Sequence, residues 1–240
     1  MGQSVSGIRL KQRTLLLVNP NTDIRVTAVM GDIARDALSN LNANTQFEIV
    51  TRTVDRGVSL ITHEQALSEA SQALTDSLGE LDTSNLAGLI ICAFGDPGLV
   101  QLRSRLKVPV TGLAEASMAL AAASIAPGGH FAVVTTTPKL ADSIVATAWG
   151  YGHADCFAGV ELTPGDPASL MANAQALEDA MYAACLRAIE KRGASALVIG
   201  GGPLAQVARA LGPRLPVPVI APIPAAVRYA AQRALVAQPN

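Results

Sequence analysis

Apolar and polar positions along this chain fall into two regimes. Runs that are apolar throughout, such as Leu15-Leu-Leu-Val18, Leu89-Ile-Ile91, Phe131-Ala-Val-Val134 and Ala196-Leu-Val-Ile199, have strand length and break into small, amide or hydroxyl residues. Between them, residues 23–41, 63–81 and 168–192 carry apolar positions at helical spacing. Further strands are expected at Phe47–Thr53 and Ala154–Leu162, and short ones within 105–116 and 214–225, each followed by a small-residue helix. Strands with no polar face, alternating with helices, predict parallel sheets covered on both sides.

The pattern repeats. Sliding the chain by 108 positions puts Ile91 on Ile199, Cys92 on Gly200 and Ala93 on Gly201. Thr14–Thr22 matches His130–Pro138 at an offset of 116, and Arg105–Ala116 matches Arg214–Ala225 at 109. Three blocks in one order imply two similar halves of about four parallel strands each. The expected division is a loose tail over 1–13, a first half from 14–112 plus 222–240, and a second half over 113–221. The helix after Pro222 is expected to cross back to the first half, as its counterpart after Gly112 enters the second. Open parallel sheets bind ligands beyond the carboxyl ends of their strands, so the ligand belongs in a cleft between the halves.

Composition narrows the function. Half of the 240 residues are hydrophobic and the mean hydropathy is +0.33, enough for a large core, yet no unbroken apolar run approaches the roughly 18 residues of a membrane span. Met1 to Arg13 lacks the apolar centre of a secretory signal. A net charge of −1 offers nothing to nucleic acid or to a membrane surface. Three scattered cysteines, Cys92, Cys156 and Cys185, give neither a disulfide framework nor a zinc site, and fit a reducing cytoplasm.

The strand ends supply the candidate chemistry. Asn19-Pro-Asn-Thr22 offers the side chains of Asn19, Asn21 and Thr22 to a carboxylate or imide, or equally serves as a capped turn. In Ala93-Phe-Gly-Asp-Pro-Gly98, the N–H groups of Phe94 and Gly95 can form an oxyanion site, and Asp96 before Pro97 reads as the N-cap of the next helix. Thr135 and Thr136 add hydroxyls. Gly201 and Gly202 allow close backbone approach, but without the sequence of a phosphate-binding loop. Cys92 is the cysteine nearest the cleft, as a base or nucleophile, or as a small buried apolar residue. His63, His153, Lys139, Tyr151 and Glu115 are further acid/base groups that no spacing pairs.

Val18-Asn-Pro-Asn-Thr22, Phe94-Gly-Asp-Pro-Gly-Leu99, Gly112-Leu-Ala-Glu-Ala-Ser-Met118 and Val133-Val-Thr-Thr136 together resemble the aspartate/glutamate racemase superfamily, in its hydantoin and allantoin racemase branch. The resemblance runs from about Thr14 to Ala230. It implies two pseudo-symmetric α/β halves, no cofactor and no metal, a small-molecule substrate between the halves, and a homo-oligomer. It also implies two cysteines on opposite faces of the substrate, one thiolate removing a proton and the other thiol returning one. The first lies directly before the Phe of Phe-Gly-Asp-Pro, which is Ala93 here, with Cys92 one residue early. The second falls on Gly201. A step of one residue along a strand turns a side chain to the other face.

Three functions follow as expectations. The first is a superfamily enzyme with altered chemistry, a lyase, decarboxylase, hydrolase or isomerase acting on a hydantoin-like, ureido or carboxylate compound. The second is a hydantoin racemase-type isomerase using Cys92. The third is a non-catalytic small-molecule binder.

Overall fold

The computed structural model describes residues 13–41, 46–79, 81–201 and 204–237. Two four-stranded parallel sheets carry the fold. The first contains β1 (Arg13–Asn19), β2 (Phe47–Thr53), β3 (Leu86–Ile91) and β4 (Val110–Gly112), in the order β2-β1-β3-β4. The second contains β5 (His130–Thr135), β6 (Phe157–Leu162), β7 (Ala194–Gly200) and β8 (Val219–Ile220), in the equivalent order β6-β5-β7-β8. The chain is α/β, with two sheets of identical topology.

Nine α-helices are described: α1 (Ile24–Ser39), α2 (Glu64–Ser77), α3 (Leu99–Arg105), α4 (Leu113–Ala123), α5 (Ala141–Gly150), α6 (Pro167–Met171), α7 (Ala174–Arg192), α8 (Ala205–Leu211) and α9 (Pro222–Val236). Strand alternation explains where they sit. Leu16 and Val18 of β1 point to an outer core with Leu74 of α2 and Leu99 and Leu102 of α3. Leu15 and Leu17 point the other way, into a core that also takes in Phe131 and Val133 of β5, Ala196 and Val198 of β7, and residues of α1, α4, α5 and α9. The outer face of the second sheet is closed by α7 and α8. One apolar cluster therefore runs through both halves, and burying it is the main stabilising term that joins them. Within it, α9 packs on β3, β4 and α1, while α4 packs on β5, β7, β8 and α5, and the two helices pack on each other.

Three local expectations give way to tertiary structure. Arg13 is not part of a loose tail: it opens β1, opposite Phe47, and its N–H donates to the Gln46 carbonyl. Residues 168–192 do not form one helix, because Asn173 takes extended backbone and its side chain caps α7 by accepting from the Ala176 N–H. Residues 154–156 form a 3₁₀ turn, and β6 begins only at Phe157. Among the described residues no helix is long and apolar enough to cross a membrane.

Candidate functional site

Four strand ends converge, from β1 and β3 in one half and β5 and β7 in the other. The contact between them is direct. A Cβ added at Gly200 would lie 3.6 Å from Cε1 of Phe94 and 2.8 Å from Cγ1 of Val133. The end of β7 thus faces the turn after β3, and glycine there lets the Phe94 ring approach.

After β1, Asn19 is committed to structure. Its amide nitrogen donates to Oδ1 of Asn21, the Asp23 carbonyl and Oγ1 of Thr27, and its Oδ1 accepts from the Asn21 N–H. Asp23, rather than Asn21 or Thr22, caps α1 by accepting from the Arg25 and Val26 N–H groups. The Thr22 N–H donates to the Val58 carbonyl. Asn21 differs from Asn19, since its Oδ1 is taken by Asn19 and the Asp23 N–H while its Nδ2 has no protein partner among the described residues.

After β5, the Thr135 hydroxyl donates to the Gly200 carbonyl at 2.9 Å and stands 3.0 Å from the Thr137 hydroxyl. It ties β5 to β7. Thr136, buried beside it, has no side-chain hydrogen-bond partner among the described residues. Gly201 has φ +151°, a conformation L side chains rarely adopt, and a Cβ there would stand 2.9 Å from Cδ1 of Leu204. Gly202 lies outside the described residues.

The turn after β3 departs most from its local sequence. The Cys92 N–H donates to the Val18 carbonyl, and Ala93, Phe94 and Gly95 make a tight turn closed by the Asp96 N–H on the Ala93 carbonyl. The N–H groups of Phe94 and Gly95 have no acceptor among the described residues, and Gly95 takes φ +108°. Asp96 does not cap the helix that follows, which starts at Leu99 with Gly98 as its N-cap. Its carboxylate instead accepts from the Ala114 N–H (2.9 Å) and Glu115 N–H (2.8 Å) of α4, and from the Tyr151 hydroxyl (2.7 Å) of the second half.

Gly112 explains this choice. As the residue before α4 it has no capping side chain, and any Cβ would overlap the Asp96 carboxylate. Asp96 is the one non-glycine residue with positive φ among the described residues, at +51°. Such a conformation costs on the order of 1 kcal/mol, so its three bonds must hold it there. Beside it Glu115 pairs through both oxygens with Nη2 of Arg103 at 2.6 and 2.7 Å, and Arg103 also donates to the Val110 carbonyl. Sequence reasoning missed Arg103 and the partner of Tyr151.

Electrostatics separates the candidate acids and bases. Burial pushes the Asp96 carboxyl up to about 6, against the downward pull of Tyr151 and the two α4 N–H groups, and the Glu115 charge adds to the rise. Cys92 is 3% exposed in the inner core, and burial, then the Asp96 charge, hold its thiol well above its ordinary value. The thiolate that a catalytic base requires is therefore disfavoured at neutral pH. Burial raises Cys156 and takes Cys185, deep in the second half's outer core, up to about 12. His63 and Lys139 are exposed. His153 packs edge-on against Phe131, and burial lowers its pKa. No group of three or more His, Cys, Asp or Glu able to hold a metal occurs among the described residues.

The family model for Asp/Glu/hydantoin racemase matches residues 15–230. A hydantoin racemase of Pseudomonas sp. (strain NS671) is 26% identical over 214 residues, 89% of this chain and 83% of that protein. The solved allantoin racemase from Klebsiella pneumoniae superposes with a TM-score of 0.83 at 26% identity, over 94% of this chain and 89% of that one. The allantoin racemase from Pseudomonas fluorescens gives a TM-score of 0.84 at 25% identity, covering 93% and 91% of the two chains.

Proposed function

This chain belongs to the Asp/Glu/hydantoin racemase family, and from that premise we propose that it is an enzyme for a small hydantoin-like, ureido or carboxylate compound, working by chemistry other than two-thiol racemisation. One observation carries the reading. Four hydrogen-bond donors or hydroxyls at the converging strand ends, Asn21 Nδ2, the N–H groups of Phe94 and Gly95, and Thr136 Oγ1, have no partner among the described residues. Donors that the protein leaves free at these strand ends are available to the oxygens of a ligand. Carboxylate and ring carbonyl oxygens are such acceptors.

Preorganised donors favour charge that develops during reaction, here an enolate oxygen. Two routes reach an enolate. Racemisation needs a base to abstract the proton, and Cys92 is held in its thiol form. Decarboxylation needs none: the electron pair of the breaking C–CO₂⁻ bond passes into the enolate, carbon dioxide leaves, and a proton then adds to carbon. An enolate-forming lyase reaction on an activated carboxylate is accordingly the reading we favour. Racemisation through Cys92 is the second reading, favoured by the activity named for the relatives above.

The two are separable with purified protein. A panel of malonate-type acids is assayed for carbon dioxide release, and chiral 5-substituted hydantoins and allantoin for loss of optical rotation. Carbon dioxide release from a panel member supports the lyase reading. Racemisation by the wild type that disappears in Cys92→Ala overturns it in favour of the second. Thermal stabilisation by these compounds without turnover of any would make the protein a binder and refute both.

A further inference from the structure

The turn that carries the Phe94 and Gly95 donors is held from two sides, and the arrangement reaches across both halves. Asp96 ends the turn in a backbone conformation that its side chain alone does not favour. Its Oδ1 accepts from Ala114, and its Oδ2 from Glu115 and from the Tyr151 hydroxyl. Ala114 and Glu115 belong to the helix that packs into the second half, and Tyr151 follows α5 of that half. The site is built for this carboxylate: Gly112 leaves it room, and Asp96 is 6% exposed. The Glu115 and Arg103 pair braces the start of α4 from the far side, with Arg233 of α9 3.8 Å from Glu115. Directly before the turn lies Cys92, shut into the inner core.

We infer that Asp96 and Tyr151 form a clamp between the two halves that positions the Phe94–Gly95 turn and closes it over Cys92. Both are positioning residues. Releasing the Tyr151 hydroxyl removes the bond that crosses from the second half, and the positive-φ turn then relaxes toward an open form in which the Cys92 thiol meets solvent. The inference needs no assumption about the substrate, so it stands or falls apart from the reaction proposed above.

Thiol labelling reads it. In a Cys156→Ser background two cysteines remain, Cys92 at the clamp and Cys185 in the outer core of the second half. Both are buried, so labelling by 4,4′-dithiodipyridine, followed peptide by peptide in a mass spectrometer, reports opening. Loss of a hydrogen bond to a charged group is expected to raise the Cys92 rate about tenfold or more in Tyr151→Phe, with the Cys185 rate unchanged. Asp96→Asn, which keeps the side-chain size, is expected to do the same. An unchanged Cys92 rate in both variants overturns the clamp. A common rise at Cys92 and Cys185 also overturns it, since that reports global unfolding. A rise in Asp96→Asn alone overturns the link through Tyr151.

Discussion

Replacing Asp96 with Asn should change how stability depends on pH, and the surroundings of its carboxyl give the sign and an approximate size. Two influences oppose each other at this carboxyl. Burial and the Glu115 charge disfavour the ionised form, while Tyr151 and two backbone N–H groups favour it. Burial wins, and the folded-state pKa rises from 3.8 to about 6. A carboxyl with a raised folded pKa contributes stability that is complete below about 3.8 and is lost as pH rises through about 6. At about 1.4 kcal/mol per pH unit the full loss is about 3 kcal/mol, with roughly two-thirds of it falling between about pH 4.5 and pH 7. Asn cannot titrate, so wild-type stability minus that of Asp96→Asn should fall by about 2 kcal/mol across that interval. Any constant offset from the missing acceptor oxygen leaves this slope untouched. Urea unfolding at a series of pH values, with m-values held equal, measures it. A difference that stays flat would mean that the carboxyl is effectively solvated. A difference that grows with pH would mean that the three hydrogen bonds outweigh burial, and would refute the reasoning.

Two further substitutions probe the other strand ends. Thr135→Val keeps the shape of the side chain but removes the donor to the Gly200 carbonyl, and should cost about 1–3 kcal/mol in urea unfolding; a cost under about 0.5 kcal/mol would show that the β5–β7 tie is not holding the strand ends. Gly201→Cys should by itself destabilise by about 1–3 kcal/mol, because of the backbone at φ +151° and the neighbouring Leu204. Combined with Ala93→Cys it should confer solvent-deuterium exchange at the stereocentre of a chiral hydantoin, which neither single variant confers. Exchange absent from a folded double variant would show that positions 93 and 201 do not flank a substrate.

The sheets were legible because each strand is apolar on both faces and each half repeats the other, as in Leu15-Leu-Leu-Val18 and Phe131-Ala-Val-Val134. Positions at the strand ends were legible too, since the topology alone places Asn21, Phe94, Thr136 and Gly201 at carboxyl ends. Partners across the chain were not. Local rules put Asp96 at the start of its own helix because Pro97 follows it. They carry no information about Gly112, sixteen positions further on, whose missing side chain creates the demand that Asp96 meets. The partners of Asn19 were not legible either: its buried amide donates to the Asp23 carbonyl and to Oγ1 of Thr27.

The internal repeat shows how the clamp departs from symmetry. At the offset of 108 the counterpart of Asp96 is Leu204, and at 109 the counterpart of Gly112 is Ala221, so α9 begins with no carboxylate to receive it. It also needs one less. The first turn of an α-helix leaves its N–H groups without partners inside the helix, and α4, beginning Leu113-Ala-Glu115, has a full set. In α9 the first turn reads Pro222-Ile-Pro224, and two of those donors do not exist. Proline in one half and a distant aspartate in the other satisfy the same requirement by different means. The second means crosses between the halves, because Oδ2 of Asp96 accepts from the Tyr151 hydroxyl as well as from the Glu115 N–H. The repeat thus builds two sheets of the same topology, and the departure from it at Asp96 ties the turn after β3 to Tyr151 in the second half.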